Sequence, residues 1–176
     1  YATSHYLAEE YVVKASKNKL IDGIVLRLSN AIGPPLTKSV NCWMLVANDL
    51  CKQVVTKQKM TIRSNPSIER DYISLIEVCH AVEKIIINTT LKQSVMNLSS
   101  GTSLTLMELA NLIKKRSTEI LKFTPKIELI SEKDIPLDKS LCIVNNKLKD
   151  HGININKEIS NDIDDLLINC KNWFVG

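Results

Sequence analysis

Short apolar runs rich in β-branched residues alternate with longer helix-forming segments over most of the 176-residue chain. A stretch without glycine or proline from Ala2 to about Lys17 is typical of a helix, and the segment 23–29 that follows is typical of a buried strand. Further strands are predicted at 60–63, 71–75, 95–98, 126–130 and near 141–144, and further helices at about 41–55, 74–87, 105–120 and 159–173. Such alternation with short connections predicts an α/β fold with a mainly parallel sheet.

Two of the predicted helices carry a recognisable start signal. Ser74 with Glu77, and Thr105 with Glu108, have the spacing of a capping box. In this motif each side chain satisfies a backbone N–H group at the other's position. We therefore expect helices to begin directly after Ser74 and Thr105. A proline-interrupted segment and a short helix are expected between the strand at 126–130 and the last helix.

Charge and hydropathy argue against two classes of partner. The net charge of +4 is spread along the chain without a basic block, and aromatic residues make up only 5%, so we expect no nucleic-acid binding. No apolar stretch approaches the roughly 20 residues that a membrane helix needs. We therefore expect no membrane partner.

Cysteine usage indicates a reducing compartment. The five cysteines are an odd number and include no C-x-x-C spacing, so neither a disulfide framework nor a metal site is predicted. Free thiols favour a cytoplasmic location. The chain begins with Tyr1 and not with methionine, and we expect a further segment upstream.

One pair of side chains suggests chemistry at the start of the chain. Tyr1 and His5 are four residues apart in a helix-forming segment, so both project from one helical face. A free phenol is a poor base at neutral pH, and a phenol that moves protons needs a neighbour that stabilises the phenolate. Taken alone, such a pair is more often a chance feature of a helix surface.

The surrounding residues strengthen the functional interpretation. Segment 1–9 resembles the Y-x-x-S-K-x-x-A-E signature of short-chain dehydrogenases/reductases, with Tyr1, Ser4, Ala8 and Glu9 in place. His5 stands where the signature has lysine. Lysine is charged at neutral pH and histidine is mostly uncharged, so either the pH optimum differs, another cation helps, or activity is reduced.

Three further segments extend this resemblance over essentially the whole chain. Residues 26–34 are similar to an L-R-x-x-N-x-x-G-P segment, residues 70–73 to R-D-[FY]-[IV], and residues 97–101 to an N-[LI]-G-[ST]-G turn. These elements occur in the order and spacing of extended short-chain dehydrogenases/reductases. The chain therefore resembles the C-terminal half of proteins of the NAD-dependent epimerase/dehydratase family.

The resemblance implies a fold and a division of the chain. It implies the C-terminal part of a Rossmann-type doubly wound parallel sheet together with a smaller α/β substrate-binding domain. Residues 1–30 and about 70–100 would belong to the dinucleotide-binding domain, and about 31–69 and 101–176 to the substrate-binding region. No glycine-rich phosphate loop occurs in the sequence, so the N-terminal half of such an enzyme is absent.

The resemblance also implies a role for each matched residue. Tyr1 would be the acid/base, and His5 would hold the nicotinamide ribose hydroxyls, so both are cofactor-binding as well as catalytic. Asn30 would lie near the bound sugar nucleotide, and Arg70 would reach the diphosphate. Asn41, at the head of the helix after the proline loop, would meet the phosphates. The implied cofactor is NAD or NADP, with NAD preferred, and the implied partners are a nucleotide-sugar substrate and a second copy of the full-length protein in a homodimer.

Simpler interpretations stay open for these residues. Asn30 precedes Gly33 and Pro34 and is also typical of a turn, and Arg70 beside Asp71 is also typical of a surface ion pair. The histidine at position 5 leaves open a non-catalytic NAD(P)-binding or redox-sensing relative of the same fold. We expect the 176 residues alone to be inactive.

Overall fold

Helices and strands alternate along the chain, as the sequence predicts. The computed structural model describes residues 1–88, 91, 94–130 and 141–175. Its helices are α1 (Ala2–Lys17), α2 (Val46–Lys57), α3 (Leu75–Ile87), α4 (Leu106–Leu121), α5 (Asn146–Asp150) and α6 (Ser160–Phe174). Its strands are β1 (Ile24–Leu28), β2 (Asn30–Ile32), β3 (Lys59–Ile62), β4 (Glu69–Ser74), β5 (Ser94–Leu98), β6 (Ser103–Thr105) and β7 (Lys126–Leu129). None of these helices has the length and apolarity required to cross a bilayer.

The strands pair mainly in parallel, which confirms the predicted class. Strand β1 pairs with β5, β2 with β4, and β3 with β7, all in parallel register. Strand β6 adds to β4 in the antiparallel direction. The described strands therefore form one three-stranded and two two-stranded sheets.

Strand β4 lies between two hydrophobic cores. Successive strand residues point to opposite faces of a sheet, and Tyr72 packs in one core while Ile73 packs in the other. The first core joins β4 to α2, α4, α6 and β3. The second joins it to α3 and β5, and it also contains Leu148 of α5 and Ile153. Strand β4 is therefore packed on both of its faces.

The two predicted helix starts are confirmed, although only one capping box is complete. The Oγ1 atom of Thr105 accepts a hydrogen bond from the backbone N–H of Glu108 at 3.1 Å, and the carboxylate of Glu108 accepts one from the N–H of Thr105 at 2.7 Å. The hydroxyl of Ser74 caps α3 at 3.5 Å from the N atom of Glu77. The Glu77 carboxylate instead accepts from the backbone of Asn156, which ties α3 to the segment before α6.

The helix predicted from Asn41 begins five residues later than expected. Residues 41–45 form bends and turns, and Leu45 has an extended backbone conformation, so the helix starts at Val46. The side chain of Trp43 explains the delay, because its ring packs edge-on against Trp173 at 5.9 Å. Its indole N–H also donates to the carbonyl of Lys38 at 2.9 Å. A tertiary contact therefore overrides the local helix propensity.

The strand predicted near residues 141–144 is not formed. Residues 141–145, which we call the strap, run without a backbone ladder and are held by side chains of neighbouring elements. Asn97 donates to the carbonyl of Val144 at 3.0 Å, and Ser99 donates to that of Ile143 at 2.9 Å. The carboxylate of Glu69 accepts from the N–H of Leu141 at 2.9 Å. The predicted proline-interrupted segment lies outside the described residues.

Candidate active site

A cleft of about 830 Å³ opens where β1 passes into β2. Its walls come from several separate parts of the chain. They are Tyr1, residues 28–32, residues 44–47 at the start of α2, residues 68–70 with Tyr72 of β4, and Leu141 and Ile143 of the strap. Ligands of open α/β sheets bind beyond the carboxyl ends of parallel strands, and this cleft lies at that end of β1.

Tyr1 borders the cleft and contacts His5. The two ring centroids are 4.2 Å apart and the ring planes are inclined by 52°, so the predicted neighbourhood of phenol and imidazole is present. Tyr1 precedes the first turn of α1, where its carbonyl accepts hydrogen bonds from the hydroxyl of Ser4 at 2.8 Å and the N–H of His5 at 3.2 Å. Its side chain is 98% exposed and therefore open to a ligand.

An ion pair links helix α1 to strand β1. Both carboxylate oxygens of Glu9 accept from the guanidinium of Arg27, with an Nε–Oε1 distance of 3.0 Å and an Nη2–Oε2 distance of 2.7 Å. The hydrogen bonds from Arg27 hold the pKa of Glu9 below its usual range. Such two-pronged contacts define orientation as well as distance, because the guanidinium is planar.

Asn30 lies in the cleft as the first residue of β2. Its Nδ2 atom donates to the carbonyl of Asp71 at 2.9 Å, and its Cα is in register with that of Tyr72. The side chain therefore bonds across the sheet to β4 and not to the local backbone of a turn. One N–H of the amide is used in this way, so Asn30 can offer a ligand its Oδ1 atom and its second N–H.

Arg70 lines the same cleft and is not paired with the neighbouring Asp71. The carboxylate of Asp71 is fully buried and accepts from the backbone N–H groups of Ser100 at 2.9 Å, Gly101 at 2.8 Å and Thr102 at 3.1 Å. Gly101 has a φ of +74°, which favours glycine. The carboxylate is thus occupied by the turn, and the alternative of an Arg70–Asp71 surface ion pair is wrong. Arg70 lines the cleft and has no acidic ion-pair partner among the residues that the structure describes.

Asn41 is not among the residues that line the cleft. The expectation that it heads the following helix is wrong, because α2 begins at Val46 and Asn41 lies in the preceding bend. The cleft wall at this point is formed by residues 44–47, which are apolar. The structure therefore brings together Tyr1, Asn30 and Arg70, with His5 in contact with Tyr1.

Two hydroxyl groups in the cleft wall were missed by sequence reasoning. Ser29 and Tyr72 both line the cleft, and their hydroxyl oxygens are buried without a hydrogen-bond partner in the described part of the chain. Burial raises the pKa of Tyr72, against a smaller opposing effect of Arg70, and keeps the phenol neutral. The motifs contained no signal for them, because position 72 is either tyrosine or phenylalanine in its motif and position 29 is unspecified in its own.

Comparison with known proteins identifies the class of fold. No protein-family model matches the sequence, and no curated protein matches it. Solved structures match almost the whole chain, and they are Rossmann-type epimerases, dehydratases and related proteins. The chain thus has the fold of the C-terminal half of these proteins, as the sequence resemblance predicts.

Three solved structures illustrate the match. UDP-N-acetylglucosamine 4-epimerase from Methanobrevibacter ruminantium, in complex with UDP-N-acetylmuramic acid, is 17% identical with a TM-score of 0.75 over 96% of this chain and 52% of its own. RMD from Pseudomonas aeruginosa, complexed with NADPH, is 19% identical with a TM-score of 0.74 over 98% and 56%. dTDP-glucose 4,6-dehydratase from Bacillus anthracis, in complex with NAD, is 15% identical with a TM-score of 0.71 over 95% and 50%. The chain spans about half the length of the structures that it matches.

Proposed function

We propose that this chain is the substrate-binding part of an NAD(P)-dependent nucleotide-sugar oxidoreductase of the epimerase/dehydratase type. The observation that supports this most directly is that Tyr1, Asn30 and Arg70 come from three separate elements and border one cleft. A proton-transferring phenol, an amide and a guanidinium are the groups that the sequence resemblance assigns to such a reaction. Solved structures of the same fold hold UDP-N-acetylmuramic acid, NADPH or NAD.

Arg70 is the proposed diphosphate-binding group. A guanidinium donates two parallel hydrogen bonds to phosphate oxygens, which suits it to an anionic ligand. Its side chain is exposed at the cleft, and no carboxylate of the described residues competes for it. Asn30 would accept a hydrogen bond from the ligand through its Oδ1 atom.

Tyr1 is the proposed acid/base group, and His5 is its only proposed partner. The phenol would take a proton from a sugar hydroxyl or return one to a carbonyl. The two rings are in tilted contact, which places the imidazole beside the phenol. A protonated His5 would stabilise the phenolate through charge, whereas a neutral His5 would contribute mainly through hydrogen bonding to a ligand.

The residues present fit only one end of a dinucleotide cofactor. Tyr1 and His5 would meet the nicotinamide ribose, and a bound NAD or NADP would accept and return the hydride. The five glycines of the chain do not form the closely spaced series that allows a backbone to approach a pyrophosphate. The proposal therefore assigns substrate binding and proton transfer to this chain, together with a cytoplasmic location, and leaves the choice between NAD and NADP to other residues.

Calorimetric titration of the chain tests the proposed function. UDP-glucose, dTDP-glucose and GDP-mannose serve as probes of the three common nucleotide classes, and we expect saturable binding of at least one. Hydrogen bonds to charged groups contribute about 1.5–3 kcal/mol, so Arg70→Gln should weaken that binding roughly 10- to 100-fold. Lys115→Gln removes an equal charge from the exposed face of α4 and should have no effect. Absence of binding to all three probes by the folded wild-type chain would contradict the proposal.

A further inference from the structure

Two buried hydroxyl groups at the cleft wall have no partner within the described part of the chain. Tyr72 is 4% exposed, and its oxygen accepts and donates no hydrogen bond there. The hydroxyl oxygen of Ser29 is also buried and has no hydrogen-bond partner in the described residues. The backbone N–H of Ser29 does donate to the carbonyl of Leu98 at 3.0 Å. Both residues border the cleft. These two groups are hereafter called the hydroxyl pair.

Burying an unpaired hydroxyl is costly. The great majority of buried polar groups in proteins have a hydrogen-bond partner, and one left without a partner destabilises the fold. Phenylalanine at position 72 and alanine at position 29 would avoid that cost with little change in packing. A polar group that the protein interior does not satisfy, at the wall of a binding cleft, is therefore expected to meet its partner in a ligand.

The surroundings of the hydroxyl pair indicate what kind of ligand group would suit it. The wall of the same cleft is apolar at Ala31, Ile32 and Ala47, and its cation is Arg70, two residues before Tyr72 on β4. Hydroxyl groups both donate and accept, as sugar hydroxyls do, so the pair matches the uncharged part of a nucleotide sugar.

We propose that the hydroxyls of Tyr72 and Ser29 hydrogen bond to sugar hydroxyls of the ligand and so discriminate between nucleotide sugars. This inference rests on the proposed function, because it assumes that a nucleotide sugar occupies the cleft. It assigns the recognition of the sugar to the hydroxyl pair and the recognition of the diphosphate to Arg70. The two groups should therefore be separable by mutation.

The first test measures thermal unfolding of the chain without any ligand. If the Tyr72 hydroxyl is unsatisfied, Tyr72→Phe removes a penalty and should raise the melting temperature by roughly 2–4 °C. Tyr11→Phe is the matched control, since Tyr11 is 75% exposed on α1, and it should leave the melting temperature unchanged. A fall in the melting temperature for Tyr72→Phe would show that the hydroxyl has a structural partner, and would overturn the inference.

The second test compares a nucleotide sugar with its nucleoside diphosphate. For the probe that the wild type binds, for example UDP-glucose, Tyr72→Phe and Ser29→Ala should each weaken affinity roughly 3- to 10-fold and leave affinity for UDP unchanged. Arg70→Gln should weaken both. If the wild type binds the sugar nucleotide but neither hydroxyl variant loses affinity, the inference fails and the proposed function stands. If the wild type binds no probe, both fail.

Discussion

At the scale of single residues, some polar side chains of the site are hydrogen bonded within the protein, and others are open to a ligand. Asp71 belongs to the first kind, since its buried carboxylate is consumed by the turn at Ser100–Thr102. Asn30 combines both, because one end of its amide is bonded to β4 and the other remains open. Arg70 and Tyr1 both line the cleft, and neither has an acidic ion-pair partner in the described part of the chain.

Replacing Asp71 tests its structural role. In Asp71→Asn an amide N–H₂ group would face backbone N–H donors that the carboxylate now satisfies. We expect a loss of about 2–4 kcal/mol in the free energy of unfolding, measured by urea denaturation. Asp150→Asn changes an exposed residue of α5 by the same chemistry and should shift stability by less than about 0.5 kcal/mol. A stable Asp71→Asn variant would show that the turn is held by other contacts.

The proposed chemistry of Tyr1 can be tested in a protein that contains this chain together with a dinucleotide-binding half. Positioned acid–base groups contribute about 10²- to 10⁴-fold to turnover, so Tyr1→Phe should reduce kcat by at least roughly 100-fold. Turnover that survives this change would favour the non-catalytic alternative.

The effect of His5 is a separate question in the same protein. His5→Lys places a permanent positive charge beside the phenol and should increase kcat at neutral pH, whereas His5→Gln supplies no charge and should not. The measurement is the pH profile of kcat for the three proteins. Equal profiles would indicate that the charge at position 5 does not act on Tyr1.

At the scale of elements, most helices and strands could be predicted from the sequence within one to three residues. Periodicity and capping signals define α1, α3 and α4 well because those signals are local. The exceptions depend on distant contacts. Trp43 delays α2 by packing on α6, the strap is held by side chains of β4 and β5, and strands β2 and β6 have only three residues each, which is too short for a period to show.

Helix α6 meets α3 through a buried carboxyl whose ionisation should affect stability. Asp162 accepts from the hydroxyl of Ser74 at 2.8 Å, and burial raises its pKa despite this bond. An acid whose pKa is raised on folding stabilises the protein most at low pH, where it is protonated, and this contribution is lost as the pH rises through the folded value. The pair should therefore be weaker at pH 7 than near pH 4.

Asp162→Asn tests this dependence. The amide stays uncharged at every pH and retains an oxygen that can accept from Ser74. We expect its stability relative to the wild type, measured by urea denaturation, to improve from pH 4 to pH 7. Glu83→Gln, at an exposed position of α3, should show no such trend. A constant difference between Asp162→Asn and the wild type across this range would contradict the expected ionisation.

At the scale of the whole molecule, the two cores meet at β4, and Arg70 and Tyr72 of this strand line the cleft. Sequence resemblance predicted the fold, and the structural matches confirm it over almost the whole chain. The grouping of Tyr1, Asn30 and Arg70 could also be foreseen from the motifs that contain them. The sequence could not show which polar atoms are already hydrogen bonded inside the protein, because partners such as Asp71 and Ser100 are about 30 residues apart.

Cofactor binding is expected to require residues that this chain does not supply. Since no glycine-rich cradle for a pyrophosphate is present in the sequence, the chain by itself should not bind NAD or NADP with micromolar affinity. Calorimetric titration with each dinucleotide measures this directly, with a nucleotide sugar as the positive control for folding. Micromolar binding of either dinucleotide would mean that the cleft accepts the cofactor without a phosphate loop.

The strap has a consequence for how this protein could be altered. Its backbone is anchored by the side chains of Asn97, Ser99, Ser103 and Glu69, and none of these hydrogen bonds uses the side chains at positions 141 and 143. Leu141 and Ile143 nevertheless form part of the cleft wall. A combinatorial library that randomises only these two positions would therefore reshape the cavity while the attachment of the loop is preserved.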